Sequence, residues 1–266
     1  MGKEAHKIME KNMNEKINIR GVYFDNVTPE EASARVNAAL EAQKESGKVF
    51  SVFTPNPEIV QLCIEQNEYY DVINSASMVV PDGIGVIKAS KILKTPLKAR
   101  VPGIEIGERA LAHCAKKGYR VFFLGGKPGV AQEAARRKSE QYAGLEFCGT
   151  ADGYFKKEGE ENDAVIERIN EAAPDLLFVC LGVPAQEKWI KENGGRLTSV
   201  KVCLALGGSL DVYSGNVKRA PRLFIKLNLE WFYRLLCEPK RIGRMMKLPK
   251  FLIGTMLHRN KKNGDV

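Results

Sequence analysis

Asp82 closes the short apolar run Met78-Val-Val-Pro-Asp82 and is followed at once by Gly83-Ile-Gly85. A carboxylate at a strand end, with glycines behind it, can project into a cleft and take a proton from a substrate hydroxyl. The same position also suits an aspartate that closes a turn or caps a helix. Four other segments have a similar make-up: Thr54-Pro-Asn56, Gly125-Gly-Lys-Pro-Gly129, Gly182-Val-Pro-Ala-Gln186 and Gly207-Gly-Ser-Leu-Asp211. Such loops let a ligand approach the backbone, and the helices that follow offer free N–H groups to a phosphate. Each loop alone could be no more than a tight turn. Five of them at strand ends point to a phosphorylated ligand. Arg100, just ahead of Val101-Pro-Gly103, could reach a phosphate or a sugar, and could equally be a solvated loop charge.

Other chemistries find no support. Lys88 stands where a dinucleotide fingerprint starting at Gly83 needs its third glycine, and no Gly-Lys-Ser/Thr follows Gly125 to make a P-loop. This argues against a nicotinamide-dependent oxidoreductase. There is no Asp-x-Asp pair, and His6, His113 and His258 are scattered, so no metal site is expected. No Gly-x-Ser-x-Gly elbow marks a serine hydrolase. The six cysteines form no CxxC pair, and Cys180 and Cys203 lie inside apolar runs. They read as buried free thiols of a reducing compartment.

The elements that must carry these loops follow from periodicity. Strands are expected at Ile17–Val22, Val49–Phe53, Met78–Asp82, Arg120–Leu124, Leu145–Gly149, Leu176–Leu181 and Val200–Leu206. Helices are expected from Thr28, with a capping box to Glu31, to about Ser46, then over Pro57–Ser75, Ile104–Lys117, Val130–Tyr142, Asn162–Ala173 and Ala185–Glu192. Apolar strands alternating with helices predict an α/β fold, with a Rossmann-like, mostly parallel sheet covered by helices. Ligands of such sheets bind beyond the carboxyl ends of the strands.

The chain has 266 residues and a net charge of +9. Residues 217–266 hold 13 Lys or Arg against 3 Asp or Glu, so a near-neutral α/β body, 1–216, is expected to carry a basic helical C-terminal appendage, 217–266. A basic segment attracts nucleic acid, anionic lipid or a phosphorylated substrate. No zinc finger, homeodomain or RNP signature supports the nucleic-acid reading. The polar N-terminal stretch is not a signal peptide, and no apolar run approaches a membrane-spanning length, so the chain reads as cytoplasmic.

Taken together, six segments resemble the WecG/TagA/CpsF family of glycosyltransferases. They are Thr54-Pro-Asn-Pro-Glu58, Pro81-Asp-Gly-Ile-Gly85, Arg100-Val-Pro-Gly103, Phe123-Leu-Gly-Gly-Lys-Pro-Gly129, Leu181-Gly-Val-Pro-Ala-Gln-Glu-Lys188 and the run Gly207–Pro221. They occur in family order and span roughly residues 17–250. The resemblance is strongest to the TagA-type members. It implies inverting, metal-independent transfer of N-acetylmannosamine from its UDP sugar to undecaprenyl-diphosphate-linked N-acetylglucosamine, for wall teichoic acid or a related polymer. Relatives with other UDP sugars, of uronic acid or glucose type, are the alternative. By the same resemblance Asp82 is the general base, Thr54 and Asn56 line the pocket beside it, and Gln186 and Asp211 lie near the nucleotide sugar. Arg100 would hold the pocket or the donor, Gly125 and Gly126 would border the ligand, and no cofactor is needed.

This gives the basic segment a role. Helices are expected over Leu223–Leu236 and again beyond Pro239. Arg241 and Arg244, three apart, share one helix face. Arg234, Arg241 and Arg244 are expected to fold over the sheet edge and bind diphosphate. Neighbouring lysines and aromatics would meet an anionic membrane, placing the protein on the inner face of the plasma membrane. An apolar helix face could also pair two copies. No nucleic-acid partner is expected.

Overall fold

A computed structural model describes residues 16–221, 223–224, 227, 229–237 and 242–264. The chain opens with an antiparallel hairpin, β1 (Lys16–Ile19) and β2 (Val22–Asp25). One strand over 17–22 was expected. Instead Arg20 and Gly21, both at positive φ (56° and 92°), turn the chain back, the backbone that a two-residue hairpin turn requires. A β-carbon at Gly21 would also meet the Tyr70 ring at 2.6 Å.

The body alternates helices and strands. In chain order they are α1 (Pro29–Glu41), β3 (Phe50–Phe53), α2 (Pro57–Glu65), α3 (Tyr69–Asn74), β4 (Met78–Val79), α4 (Ile84–Ile92), α5 (Gly103–Lys117), β5 (Arg120–Gly125), α6 (Val130–Gln141), β6 (Glu146–Ala151), α7 (Gly159–Ala172), β7 (Leu176–Cys180), α8 (Ala185–Asn193), β8 (Val202–Ala205) and α9 (Ser209–Tyr213). Local signals explain most boundaries. Thr28 and Glu31 make the expected capping box, with bonds of 3.2 and 2.9 Å. Further expectations fail, and the short α9 was not expected either. The helix expected over 57–75 is broken by the polar run Gln66-Asn-Glu68, which lets Tyr69, Val72 and Ile73 turn inward on their own axis. Helix α4 has no counterpart in the expectation, because two glycines at its start read as loop. Gly85 is inside it for a packing reason: a β-carbon there would stand 2.4 Å from Pro57 and 2.5 Å from Leu248.

Strands β3 to β8 form one parallel six-stranded sheet in the order β4-β3-β8-β7-β5-β6. Successive residues alternate between its faces. Phe122 and Leu124 of β5 join a core with α2, α3, α4, α7 and α8, while Val121 and Phe123 join one with α1, α5, α6 and α9. The crossover after β5 runs outward to β6, whereas that after β7 runs back to β8, so their helices, α6 and α8, cover opposite faces. The carboxyl ends of β5 and β7 therefore flank a topological switch point, where such sheets leave a crevice for ligand.

Beyond the sheet lie α10 (Glu230–Cys237), α11 (Ile242–Met245) and α12 (Lys247–Gly264). Of the helix expected over 223–236, residues 223–224 are helical and 230–236 lie in α10, while 225, 226 and 228 lie outside the described residues; the described region after Pro239 holds two helices. Helix α12 packs on α2 and α4. Phe251 is fully buried in the same core cluster as those helices.

Candidate active site

The strand order places the loop after β3 beside the loop after β4. Val80 N–H donates to Phe53 O at 3.0 Å and Asp82 N–H to Pro55 O at 3.1 Å, which sets Asp82 alongside Thr54 and Asn56. Gly83, at φ 95°, then turns the chain into α4. The Asp82 carboxylate is one-third exposed. Its Oδ2 accepts from Gly103 N–H at 3.3 Å, at the first residue of α5. Its Oδ1 lies 3.7 Å from Arg100 Nε. A helix N-terminus and an arginine thus flank the carboxylate expected to act as base, and both favour negative charge there.

Thr54 meets the same point. A β-carbon on Gly103 would lie 3.0 Å from Thr54 Oγ1 and 2.7 Å from Leu206 Cδ2, so the missing side chain lets α5 begin directly over the ends of β3 and β8. Asn56 caps α2, its Oδ1 accepting from Ile59 N–H at 3.0 Å. Its amide oxygen is used in the fold, and what it can offer a ligand is the Nδ2 donor. Arg100 also pairs with Glu230 at the start of α10. Burial works against the Arg100 charge, but Asp82 and then Glu230 outweigh it, and the guanidinium is held protonated more firmly than usual.

Across β8, Gln186 is buried at the start of α8. Its Nε2 donates to Glu187 Oε1 at 2.8 Å, so its Oε1 points the other way, 2.9 Å from where Gly207 would carry a β-carbon. That oxygen has no hydrogen-bond partner among the described residues. A buried carbonyl in this state favours a ligand or water that can donate to it. Glu187 is itself buried; it accepts from Tyr69 Oη at 2.9 Å, and burial raises its carboxyl above the ordinary range. Asp211 stands on α9, just past Gly207-Gly208, with its carbonyl accepting from Val217 N–H.

Gly125 and Gly126 end β5 at the switch point. A β-carbon on Gly125 would lie 2.3 Å from Cys180 O, and Gly126 N–H donates to that carbonyl at 3.3 Å. Both glycines are at positive φ, 129° and 72°. They are needed for backbone packing against β7 whatever they do for a ligand.

Gly103 therefore adjoins both Asp82 and Thr54, with Arg100 beside Asp82 and Asn56 on the same loop as Thr54. Gln186 and Asp211 follow on the neighbouring β7 and β8 loops, and Gly125 and Gly126 lie beyond β7. Arg241 is outside the described residues, as are the side chains of Arg234 and Arg244, whose backbones belong to α10 and α11. Three residues gained no role from the sequence alone. Gly103 and Glu187 lie within motifs already singled out. The one signal for Glu230 is that it is acidic in a segment of opposite charge.

A parallel sheet with a topological switch point, and with a flanked carboxylate and glycine turns along one carboxyl edge, defines a doubly wound α/β protein with its ligand crevice at that edge. The particular assignment comes from similarity: the chain belongs to the glycosyl transferase WecG/TagA/CpsF family, whose profile it matches over residues 17–264. It is 39% identical over 245 residues, 92% of this chain and 94% of the relative, to an N-acetylglucosaminyldiphosphoundecaprenol N-acetyl-beta-D-mannosaminyltransferase of Staphylococcus aureus strain MRSA252. It is 40% identical over 212 residues, 79% of this chain and 81% of the relative, to a protein of the same name from Bacillus subtilis strain 168.

Proposed function

We propose that this protein moves N-acetylmannosamine from UDP-N-acetylmannosamine to undecaprenyl-diphosphate-linked N-acetylglucosamine, as the names of its relatives describe for the acceptor and the sugar, in wall teichoic acid or related polymer assembly. The observation that carries the chemistry is Asp82, fixed at the sheet edge between the α5 N-terminus and Arg100. Asp82 takes the proton of the acceptor hydroxyl. The freed oxygen attacks the anomeric carbon from the face opposite UDP, and that bond forms as the bond to the diphosphate oxygen breaks, inverting the centre. Charge grows on the departing diphosphate. The donors that fit it are Arg100, the backbone N–H groups of helices that begin at this edge, and the arginines Arg234, Arg241 and Arg244. This set would serve without a metal.

The test is UDP release by the purified full chain, with a panel of UDP sugars and a lipid-diphosphate N-acetylglucosamine analogue, with and without chelator. Release is expected with UDP-N-acetylmannosamine and unchanged by chelator. Preference for a uronic acid or glucose donor would reassign the sugar, chelator sensitivity would remove the metal-free mechanism, and no release from any donor would overturn the reading.

The C-terminal helices supply a surface for the lipid. No described helix is long and apolar enough to cross a membrane. On α12, Ile253, Met256 and Leu257 are at least half exposed on one helix face, while Phe251 and Thr255 are buried beneath it. Ile242 and Met246 extend the exposed set to α11 and the junction after it. The surrounding segment is strongly basic, and each Lys or Arg near an anionic leaflet contributes about 1 kcal/mol. We infer that this face docks on an anionic membrane. Replacing Ile253, Met256 and Leu257 together by Asp is expected to reduce co-sedimentation with anionic vesicles by about 10-fold or more, while UDP release with a soluble acceptor stays near wild type. Equal vesicle binding would refute the assignment, and a wild-type dimer that the triple variant dissolves would give the face to a second copy instead.

A further inference from the structure

Three buried side chains form a network behind the loop that follows β7. Gln186, Glu187 and Tyr69 are 3%, 1% and 0% exposed. Glu187 accepts twice: Oε1 takes the 2.8 Å bond from Gln186 Nε2, and Oε2 the 2.9 Å bond from Tyr69 Oη. Gln186 Oε1 has no hydrogen-bond partner among the described residues and faces the Gly207 turn at the end of β8. Interiors pair nearly all of their buried polar atoms, so this oxygen calls for a donor from elsewhere. Neither partner of Glu187 is a cation, and burying a carboxylate on such terms is costly unless its orientation of a neighbour matters.

Hydrogen-bond chemistry fixes which way round the Gln186 amide lies. An ionised carboxylate can only accept. The amide must therefore turn its N–H2 group to Glu187, which leaves the carbonyl facing Gly207; turned over, two acceptor oxygens would meet. A proton on Glu187 would add a buried donor with no acceptor among the described residues, which favours the carboxylate even as burial raises its carboxyl above the ordinary range. Tyr69 holds the far oxygen. Burial pushes its phenol far above the ordinary range, so its hydroxyl stays a donor.

We propose that Glu187 is a positioning residue, orienting the Gln186 amide so that its carbonyl oxygen accepts from an N–H or O–H group of the nucleotide sugar. This rests on the reading of a UDP sugar as the donor substrate. The groups that fit are the uracil N–H and ribose hydroxyls on the nucleoside half, and the hydroxyls and acetamide N–H on the hexose half.

Glu187→Gln keeps the shape but offers one acceptor where two are needed. Tyr69 Oη has no other acceptor among the described residues, so its hydroxyl keeps the remaining carbonyl oxygen at position 187. The new N–H2 group then turns to Gln186, whose amide must invert to accept from it. An N–H2 group now faces the ligand's own N–H or O–H. Losing the bond and opposing two donors is expected to weaken donor binding by about 10-fold or more.

The experiment uses the uniformly 13C,15N-labelled full chain, with the Gln186 side-chain signals assigned through the backbone, titrated with UDP and with UDP-N-acetylmannosamine. In the wild type the Nε2 protons are expected to stay protected and nearly unmoved, while the Cδ signal moves downfield as the oxygen gains a donor. A response to UDP places the ligand group on the nucleoside; a response to the sugar nucleotide alone places it on the hexose. Calorimetry should show the 10-fold loss in Glu187→Gln, and no further loss when Glu187→Gln is added to Gln186→Leu. Ligand that moves the Nε2 protons and leaves Cδ unmoved overturns the proposal, and the wild-type spectra decide this whether or not the variants fold. Equal affinity of Glu187→Gln and wild type overturns it too. So does a loss that persists in the Gln186→Leu background, which makes Glu187 only a packing group of α8. If the wild type binds neither UDP nor the sugar nucleotide, the functional reading fails, while protection of the Nε2 protons in the wild type and its loss in Glu187→Gln still decide whether Glu187 orients the amide.

Discussion

Asp82→Asn is expected to reduce turnover by about 10²–10⁴-fold, the usual contribution of a positioned general base, while the protein stays folded and still binds the nucleotide. The substitution is nearly isosteric. The new amide oxygen can keep the bond from Gly103 N–H now made by Oδ2, so the start of α5 need not move. Arg100 keeps its second carboxylate partner, Glu230, which limits the electrostatic disturbance. What the amide cannot do is take a proton near neutral pH. Loss of kcat with donor KM unchanged is therefore the pattern that assigns Asp82 to the transition state and not to ground-state binding. UDP release measures the first, calorimetric titration with UDP the second, and circular dichroism the fold. Turnover within a few-fold of wild type would remove Asp82 as the base and leave it a cap for α5.

Phe251→Ala is expected to cost about 3–5 kcal/mol of stability, the range for truncating a fully buried phenylalanine. Phe251 has no exposed surface and belongs to the core beneath α2 and α4. Several contacts fasten its helix there. Leu248 lies against Gly85, close enough that a β-carbon on that glycine would be 2.5 Å away. Arg20 in the hairpin turn donates to Gly254 O, and Lys250 pairs with Glu65. The Glu65 carboxyl is held at about 2, chiefly by the hydrogen bond from Lys250; being exposed, this pair adds little energy beside Phe251. Urea unfolding should show a lower midpoint with an unchanged slope, as expected when stability alone changes. A loss below about 1 kcal/mol would mean that the pocket collapses or that α12 is not part of the cooperative unit. The same packing decides how membrane attachment is tested. A chain ending near Gly215 would lose Phe251 along with the basic residues and uncover the core, so substitutions confined to the exposed stripe of α12 separate attachment from folding.

The α/β class, the glycine turns and Asp82 were legible because each depends on near neighbours. A short, fully apolar run such as Leu176–Cys180, bounded by turn residues, reads as a strand buried on both faces, and Thr28, Pro29 and Glu31 together favour a helix start. Where local signals conflict, the expectation erred. The glycines of α4 reported loop, since nothing within the helix reveals that Pro57 and Leu248 need the space at Gly85. The hairpin turn Arg20-Gly21 was hidden inside the alternating run Ile17-Asn-Ile-Arg-Gly-Val22.

Taken by itself, the sequence determined which loops could bind a phosphorylated ligand, which carboxylate could act as a base, and that a basic segment follows a neutral body. Only the tertiary structure decided which of these meet. Strand β8 inserts beside β3, bringing the Gly207 loop next to Thr54, and Glu230 lands on Arg100, 130 residues away in the chain. The physical reason is that strand order and helix docking are settled by burial of apolar faces between distant segments, a quantity no short window of sequence contains. The sequence therefore supplies the chemical groups, and the packing of remote elements sets the distances between them.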